Sequence, residues 1–237
     1  PRYRPSAWEV PNAYLVGEGE VFLIDTGYAF SDSINYILGC WEELGRPPMK
    51  GIILTHAHLD HGGGALAIKK ETGTKIFIHP QDADFLTELL PPTKADAEII
   101  EGDSLEAGGI SLQVLHLPGH APGHVGLYVP ESAILFSGDL IVGQGSAAVT
   151  YPRGNMLQYM QSLHRLTRLN IKKILPGHGP IVDDPPAKIK EYIEHRQLRE
   201  IQIYRLLKEG PKTPRELVEV IYADVHPALH NAGELTI

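Results

Sequence analysis

The chain has 237 residues, of which 43% are hydrophobic and 21% are charged, and its net charge is -8. These values are typical of a globular domain with a sizeable core, and they exclude a disordered chain and a broadly basic nucleic-acid-binding surface. The one cysteine, Cys40, cannot form an internal disulfide, which predicts a reducing, cytoplasmic setting. No basic segment followed by an apolar run begins the sequence and no stretch approaches about twenty apolar residues, so we expect neither a secretory leader nor a membrane span.

Short apolar runs separated by glycine and proline occupy the first 180 residues, and such runs are typical of strands. The predicted strands are Ala13–Val16, Val21–Asp25, Gly51–Thr55, Lys75–Ile78, Ser111–Leu117, Val125–Val129, Ala133–Phe136 and Lys172–Leu175. Apolar residues at helical spacing predict helices at Ser31–Leu44, Gly64–Glu71, Asn155–Leu169 and Ala187–Lys208. Strands that interleave with amphipathic helices predict an α/β protein with sheets inside and helices outside.

From about residue 184 the pattern becomes helical, so we predict a catalytic domain over 1–183 and a small helical region over 184–237. Thr213, Pro214 and Glu216 form a good helix start, because Thr213 can cap and Glu216 can close a capping box. A further helix is predicted from Pro227. The chain begins with Pro1 rather than Met and stops at Ile237 within this pattern, so whether the termini are complete stays open.

The most informative segment is Thr55-His56-Ala57-His58-Leu59-Asp60-His61, which follows a predicted strand and leads into three glycines. Four side chains that can bind metal lie within six residues, and buried His and Asp are costly unless each has a partner. A loop that leaves a strand can direct His56 and His58 to one ion, and Asp60 and His61 to a second. Imidazole and carboxylate suit zinc, and also manganese or iron.

Three later segments supply further candidate ligands, each in a Gly/Pro-rich turn beyond an apolar run. They are His120 in Pro-Gly-His, Asp139 in Ser-Gly-Asp, and His178 in Pro-Gly-His-Gly-Pro. Loops of this kind commonly carry site residues. We expect His124 and Asp25 to act as partners that orient the ligands.

Together these motifs resemble the metallo-β-lactamase superfamily, especially its glyoxalase II-like branch and the β-lactamase-like protein 2 group. The resemblance covers nearly the whole chain and includes Leu23-Ile24-Asp25-Thr26-Gly27 and the stretch around His195 and Arg196. It implies a four-layer αββα sandwich with a small, winged-helix-like C-terminal appendage. It also implies that the site lies along the edge where the strand ends meet.

The resemblance assigns roles to the seven candidate ligands. His56, His58 and His120 are expected to bind one metal ion, and Asp60, His61 and His178 the other. Asp139 is expected to bridge both ions. Two zinc ions per chain, with manganese or iron as alternatives, would then lower the pKa of a bound water molecule and so form the hydroxide nucleophile. Asp60 and Asp139 are the expected catalytic carboxylates, with Asp60 orienting that hydroxide.

The substrate is less constrained by the sequence. Glyoxalase II carries Cys-Gly-Arg-Phe soon after the bridging Asp, whereas this chain has Val142-Gly143-Gln144-Gly145, which argues against glutathione thioesters. The first hypothesis is a hydrolase of a small ester, thioester or lactam-type molecule. The second is an endoribonuclease that cleaves single-stranded RNA, which is implied by the resemblance of the tail to the appendage of the β-lactamase-like protein 2 group. The eight Lys or Arg against four Glu in residues 185–215 are compatible with this hypothesis. An iron-dependent sulfur dioxygenase and a non-enzymatic nucleic-acid adaptor are the third and fourth. The oligomeric state stays open.

Overall fold

A computed structural model describes residues 10–223, 233, 234 and 236 of the chain, and two five-stranded sheets form its centre. The first sheet has the order β1-β2-β3-β4-β5. Its strands are β1 (Tyr14–Val16), β2 (Val21–Ile24), β3 (Met49–Ile53), β4 (Ile76–Ile78) and β5 (Ala97–Glu98). Only β1 runs antiparallel to its neighbour, so the carboxyl ends of β2 to β5 share one edge.

The second sheet has the order β10-β9-β8-β7-β6 and is mostly antiparallel, except that β10 runs parallel to β9. Its strands are β6 (Ser104–Ala107), β7 (Ile110–His116), β8 (Val125–Val129), β9 (Ile134–Gly138) and β10 (Lys173–Pro176). The parallel pair matters for function, because Asp139 follows β9 and His178 follows β10 at the same edge.

Helices cover both outer faces. They are α1 (Ser31–Glu43), α2 (Leu59–Gly62), α3 (Ala65–Thr72), α4 (Pro80–Leu89), α5 (Met156–Leu166), α6 (Pro185–Lys208) and α7 (Pro214–Ile221). One buried cluster joins the first sheet to α1, α3 and α4, and another joins the second sheet to α5 and α6. Between the sheets, residues such as Phe22, Ile53, Leu127 and Phe136 form a third cluster. The order is therefore helix, sheet, sheet, helix, which confirms the predicted αββα sandwich.

Several element boundaries differ from the predictions for local reasons. β2 ends at Ile24 and not at Asp25, because Asp25 has a φ of 56° and turns the chain out of the strand. The prediction missed α4 and the short strands β5 and β6. In α4 five polar residues obscure the apolar face that buries Leu86, and β5 has only two residues.

The C-terminal region begins with a long helix whose first half belongs to the core. Ile189 and Tyr192 of α6 are buried in the cluster beneath the second sheet. The predicted capping box at Thr213 is confirmed, since the Thr213 hydroxyl accepts from the Glu216 N–H and Glu216 accepts from the Thr213 N–H. The helix predicted from Pro227 lies outside the described residues. Over the described part of the chain, no helix combines the length and apolarity needed to cross a bilayer.

Candidate metal centre

The first group of predicted ligands lies where the chain leaves β3. His58 precedes α2 as its N-cap residue, and Asp60 and His61 lie within this single helical turn. The His61 carbonyl accepts from both the N–H and the hydroxyl of Thr26 at 2.7 Å, which ties the turn to the end of β2. A short helix fixed at its end therefore presents three chemically active side chains from four consecutive positions.

Three imidazoles converge at one side of this turn. His56 Nε2 lies 2.9 Å from His58 Nδ1, and His120 Nε2 lies 3.2 Å and 3.0 Å from those two nitrogens. His120 arrives from the loop between β7 and β8, so two distant segments contribute to the cluster. His56 and His120 are buried, and His58 is partly buried.

The protons on these rings are directed away from the cluster. His120 Nδ1 lies 2.6 Å from the Ala148 carbonyl, which can only accept, so this nitrogen carries the proton. The Thr55 hydroxyl donates to Asp25 and therefore accepts from His56 Nδ1, 3.0 Å away. The Nε2 lone pairs of His56 and His120 consequently face each other.

A second group adjoins the first. His61 Nε2 lies 3.3 Å from His178 Nε2 and 3.7 Å from Asp60 Oδ2, and His178 Nε2 lies 3.1 Å from that same oxygen. His61 Nδ1 is 2.8 Å from the Asp25 carboxylate and donates to it, so in the neutral ring the Nε2 lone pair is directed at His178. His61 is fully buried.

Asp139 lies between the two groups. Its Oδ2 is 3.7 Å from His120 Nε2 and 3.6 Å from His178 Nε2, and its Oδ1 is 3.4 Å from His61 Nε2. The Asp139 N–H donates to His124 Nε2 at 3.0 Å, so His124 fixes the backbone from which this carboxylate extends. All seven predicted ligands are therefore brought together, and His124 and Asp25 contact them as expected.

Burial and neighbouring charges set the protonation of the cluster. Burial, with His120 beside it, lowers the pKa of His58 to about 4, and burial, with His61 nearby, lowers the pKa of His56 well below its ordinary value. Burial alone would raise the pKa of Asp139, but the contact with His61 outweighs it and lowers that pKa. Burial lowers the pKa of His61, yet Asp139 and Asp25 outweigh it and raise that pKa. Neutral His56 and His58 and ionised Asp139 are the forms that bind metals, whereas an ion bound by His61 would displace the proton that its raised pKa favours.

The residues fit a metal ion on two observations. Three imidazole nitrogen atoms stand 2.9–3.2 Å apart, close to the separation of about 3.3 Å between nitrogens on one tetrahedral ion. Among the described residues, the buried Asp139 Oδ1 has no hydrogen-bond donor. Acceptors crowded together in a buried place repel one another unless a cation lies between them. Three groups could hold an ion: His56 with His58 and His120, His56 with His61 and Asp139, and Asp60 with His61 and His178.

Sequence reasoning missed Thr55, which orients His56 and accepts its ring proton. The signal was available, because Thr55 is the polar residue at the end of an apolar run directly before the first ligand. Outside the cluster, His79 and His116 stack on each other at 4.1 Å between ring centroids, as strand-end residues. Of the remaining histidines, His226 and His230 lie outside the described residues.

Two layers of sheet lie between two layers of helix, and a His/Asp cluster that could hold metal ions lies where the strands end, which is the arrangement of the αββα class of enzymes. The family model for the metallo-beta-lactamase superfamily matches residues 7–178. The chain therefore belongs to the metallo-β-lactamase superfamily, whose members include hydrolytic enzymes.

Two curated relatives illustrate the range of the superfamily. A beta-lactamase-like protein 2 homolog of Caenorhabditis elegans is 33% identical over 93% of this chain and 73% of its own length. An atrochrysone carboxyl ACP thioesterase of Aspergillus fumigatus is 27% identical over 89% of this chain and 68% of its own length.

Two solved structures share the fold. A metallo-beta-lactamase family protein from Thermus thermophilus superposes with a TM-score of 0.80 at 26% identity, covering 95% of this chain and 85% of that one. TTHA1623, solved in a di-iron-bound form, superposes with a TM-score of 0.61 at 34% identity, covering 73% of this chain and 89% of that one.

Proposed function

We propose that this chain hydrolyses a small ester or thioester with two divalent metal ions, for which zinc is the first choice. His56, His58 and His120 would hold one ion, Asp60, His61 and His178 the other, and Asp139 would contact both. The observation that carries the proposal is the convergence of three imidazole nitrogens within 3.2 Å, next to a second group of acceptors.

Two bound ions would lower the pKa of a shared water toward neutrality and polarise the attacked carbonyl. Among the chain's own residues, Asp60 is the carboxylate best placed to orient that water and take its proton. The Asp60 side chain is 22% exposed, whereas that of Asp139 is 13% exposed and extends from a backbone N–H that donates to His124. Asp139 would fix the spacing of the two groups, and Asp25 would hold His61 in the tautomer that binds metal.

The surroundings of the site support an uncharged acyl group as substrate. The loop at residues 27–30 packs against the connection between α2 and α3, since the Gly64 N–H donates to the Gly27 carbonyl. On this loop Phe30 stacks on Tyr28 and is 65% exposed, and Leu59 of α2 is 46% exposed. Exposed apolar side chains beside a polar centre favour the apolar part of an ester or thioester. The thioesterase named among the relatives is consistent with this choice.

Arginine side chains near the site are already engaged in the fold. Arg153 pairs with Asp82 at 2.7 Å and lies over the Phe85 ring, and Arg196 binds Ser146 and the Ala147 carbonyl. We therefore propose no substrate anion at these positions.

Cleavage of single-stranded RNA is the alternative with which the basic C-terminal helices are compatible. Four of the eight basic residues in this region are paired with glutamates. The pairs are Lys188–Glu191, Lys190–Glu194, Lys212–Glu209 and Arg215–Glu219. Local neutralisation leaves fewer cations for a phosphate backbone, which favours the small-molecule hydrolase.

The test starts from purified protein whose metal content is measured before and after chelation. Apo-protein reloaded with zinc, manganese or iron is offered a short S-acyl thioester, a chromogenic ester, a chromogenic cephalosporin and a labelled single-stranded RNA. We expect thioester or ester hydrolysis that rises with loading to two ions per chain. Mononuclear iron with sulfur oxidation would instead establish the dioxygenase alternative. Faster cleavage of RNA than of any acyl substrate would establish the ribonuclease.

Substitutions of the proposed ligands test whether the activity arises at this site. His58→Ala and Asp139→Ala should each lower kcat/KM by about 100-fold or more, since a 1 Å misplacement of reacting groups already costs that much. His164→Ala on the exposed side of α5 is the matched control and should retain full activity. Full activity in both site variants, or no binding of two ions, would overturn the proposal. The cytoplasmic location, and the division into 1–183 and 184–237, stay predictions.

A further inference from the structure

Asp82 on α4 is a carboxylate without exposed surface, and it is not one of the seven proposed ligands. Removing a carboxylate from water is costly unless hydrogen bonds and a counter-charge compensate it. Asp82 Oδ2 accepts from the Ala57 N–H at 3.1 Å, and its Oδ1 accepts from the Gly123 N–H at 3.0 Å. Arg153 Nη2 donates to Oδ1 at 2.7 Å and supplies the positive charge.

The three donors belong to segments that carry or contact the three histidines of the first group. Ala57 lies between the ligands His56 and His58. Gly123 lies in the loop that carries His120. Arg153 belongs to the segment that also contains Ala148, whose carbonyl accepts from His120 Nδ1 at 2.6 Å. The buried Asp82 carboxylate thus connects the segments that position all three histidines of this group.

The neighbours of Asp82 pack closely and hold its hydrogen-bond partners in fixed positions. A Cβ on Gly123 would lie 2.8 Å from the Asp82 nitrogen and 2.9 Å from its Cβ, so glycine is required for the close approach. The Arg153 guanidinium lies 3.8 Å from the centre of the Phe85 ring, one helical turn along α4. The arginine is therefore held from two sides, by charge and by stacking.

We propose that Asp82 is a positioning residue that fixes His56, His58 and His120 relative to one another and thereby sets metal affinity at this half of the site. The proposal rests on the proposed function, because it assumes that these histidines hold an ion. Partners that orient metal ligands typically contribute about 10- to 100-fold to affinity. The Asp60, His61 and His178 group has no contact with Asp82 among the described hydrogen bonds and should bind as before.

The experiment titrates apo-protein with Co²⁺ and follows the visible absorption of the bound ion. His58→Ala and His178→Ala serve as references that assign the two spectral components to the two groups. Asp82→Asn keeps the side-chain shape but presents an NH₂ donor to one of the two backbone N–H donors. We expect the three-histidine component to bind about 10- to 100-fold more weakly in Asp82→Asn, while the other component keeps its wild-type midpoint.

Asp84→Asn is the matched control, since it removes the same charge from an exposed position on the same helix and should leave both components unchanged. Equal midpoints in Asp82→Asn and wild type would overturn the proposal. So would equal weakening of both components together with a lower melting temperature of the apo-protein, which is the result of a merely structural role. Wild-type protein that shows no two-component titration would instead refute the proposed function.

Arg153→Met provides a second variant that leaves both backbone hydrogen bonds of Asp82 in place. If Asp82→Asn does not yield folded protein, Arg153→Met should still weaken the three-histidine component selectively, and to a smaller degree. An unchanged titration of Arg153→Met would then overturn the proposal.

Discussion

Gly177→Ala tests how closely the backbone approaches the candidate centre. Gly177 lies between β10 and His178, and an added Cβ would lie 2.4 Å from Asp139 Oδ1 and 2.8 Å from His61 Cε1. Ordinary contacts begin at 3.4 Å, so the carboxylate must move by about 1 Å. The backbone cannot simply retreat, because the Gly177 N–H donates to the Gly138 carbonyl and the Gly177 carbonyl accepts from the Asn12 N–H.

We expect a loss of about 100-fold in kcat/KM for the thioester, equivalent to about 2.7 kcal/mol of transition-state stabilisation. The metal content should fall below two ions per chain, since Asp139 contacts both groups. The assays are steady-state hydrolysis with zinc-loaded protein and elemental analysis of the same samples. Overpacking should also cost about 1–3 kcal/mol of folding free energy, which a urea melt of the apo-protein measures separately.

Gly39→Ala is the control with the same chemical change. Gly39 lies within α1, and a Cβ there would meet no atom within 4 Å. Replacing a helical glycine should stabilise the protein by about 0.5–1 kcal/mol and leave kcat/KM unchanged. Two bound ions and wild-type kcat/KM in Gly177→Ala would refute the reasoning, as would an activity loss that follows the unfolded fraction alone.

Two further predictions concern stability. Tyr159 is fully buried and its hydroxyl donates to the Leu140 carbonyl at 2.6 Å, so Tyr159→Phe should cost about 1–3 kcal/mol in a urea melt, and an unchanged midpoint would contradict this. Arg165 binds both carboxylate oxygens of Glu101, and this hydrogen bonding, with burial opposing it, lowers the pKa of Glu101. A lowered carboxyl pKa adds stability above the unfolded-state pKa that is lost as pH falls through the folded-state pKa. Glu101→Gln should therefore be less stable than wild type at pH 7, by at most about 1 kcal/mol of unfolding free energy. The unfolding midpoints of the two proteins should converge below pH 4.5, the ordinary pKa of a glutamate side chain. A difference between the midpoints that stays constant with pH would contradict the assignment.

The candidate ligands were predictable because their chemistry is concentrated in short segments. Four side chains that can bind metal lie within the segment from His56 to His61. Core packing does not explain this run, because burial of His and Asp side chains without partners costs free energy. His120, Asp139 and His178 each follow a recognisable Gly/Pro turn. Their convergence depends on strand order, which brings β9 and β10 side by side and which hydrophobic pattern alone does not determine.

The supporting residues were harder to predict because their role depends on distant partners. Asp82 and Asp84 occupy similar positions in the α4 sequence, yet Asp82 is buried against Ala57 and Gly123 while Asp84 is exposed. Nothing in the local sequence distinguishes them, since the contacts of Asp82 span 25 and 41 residues along the chain. The helix α4 was not predicted for the same reason, because the sheet that it covers determines which of its residues are buried.

The orientation of the ligands follows a common physical rule. His120, His56 and His61 each donate one ring proton outward, to Ala148, Thr55 and Asp25 respectively. Each outward bond selects the tautomer whose lone pair faces the cluster, so the fold fixes the ligands in the form that a cation requires. Because these acceptors repel one another when buried, their alignment costs folding free energy that only a bound cation recovers. The alignment at three separate histidines is the one that the proposed ions require, so we expect chelation to lower the melting temperature of the protein as well as its activity.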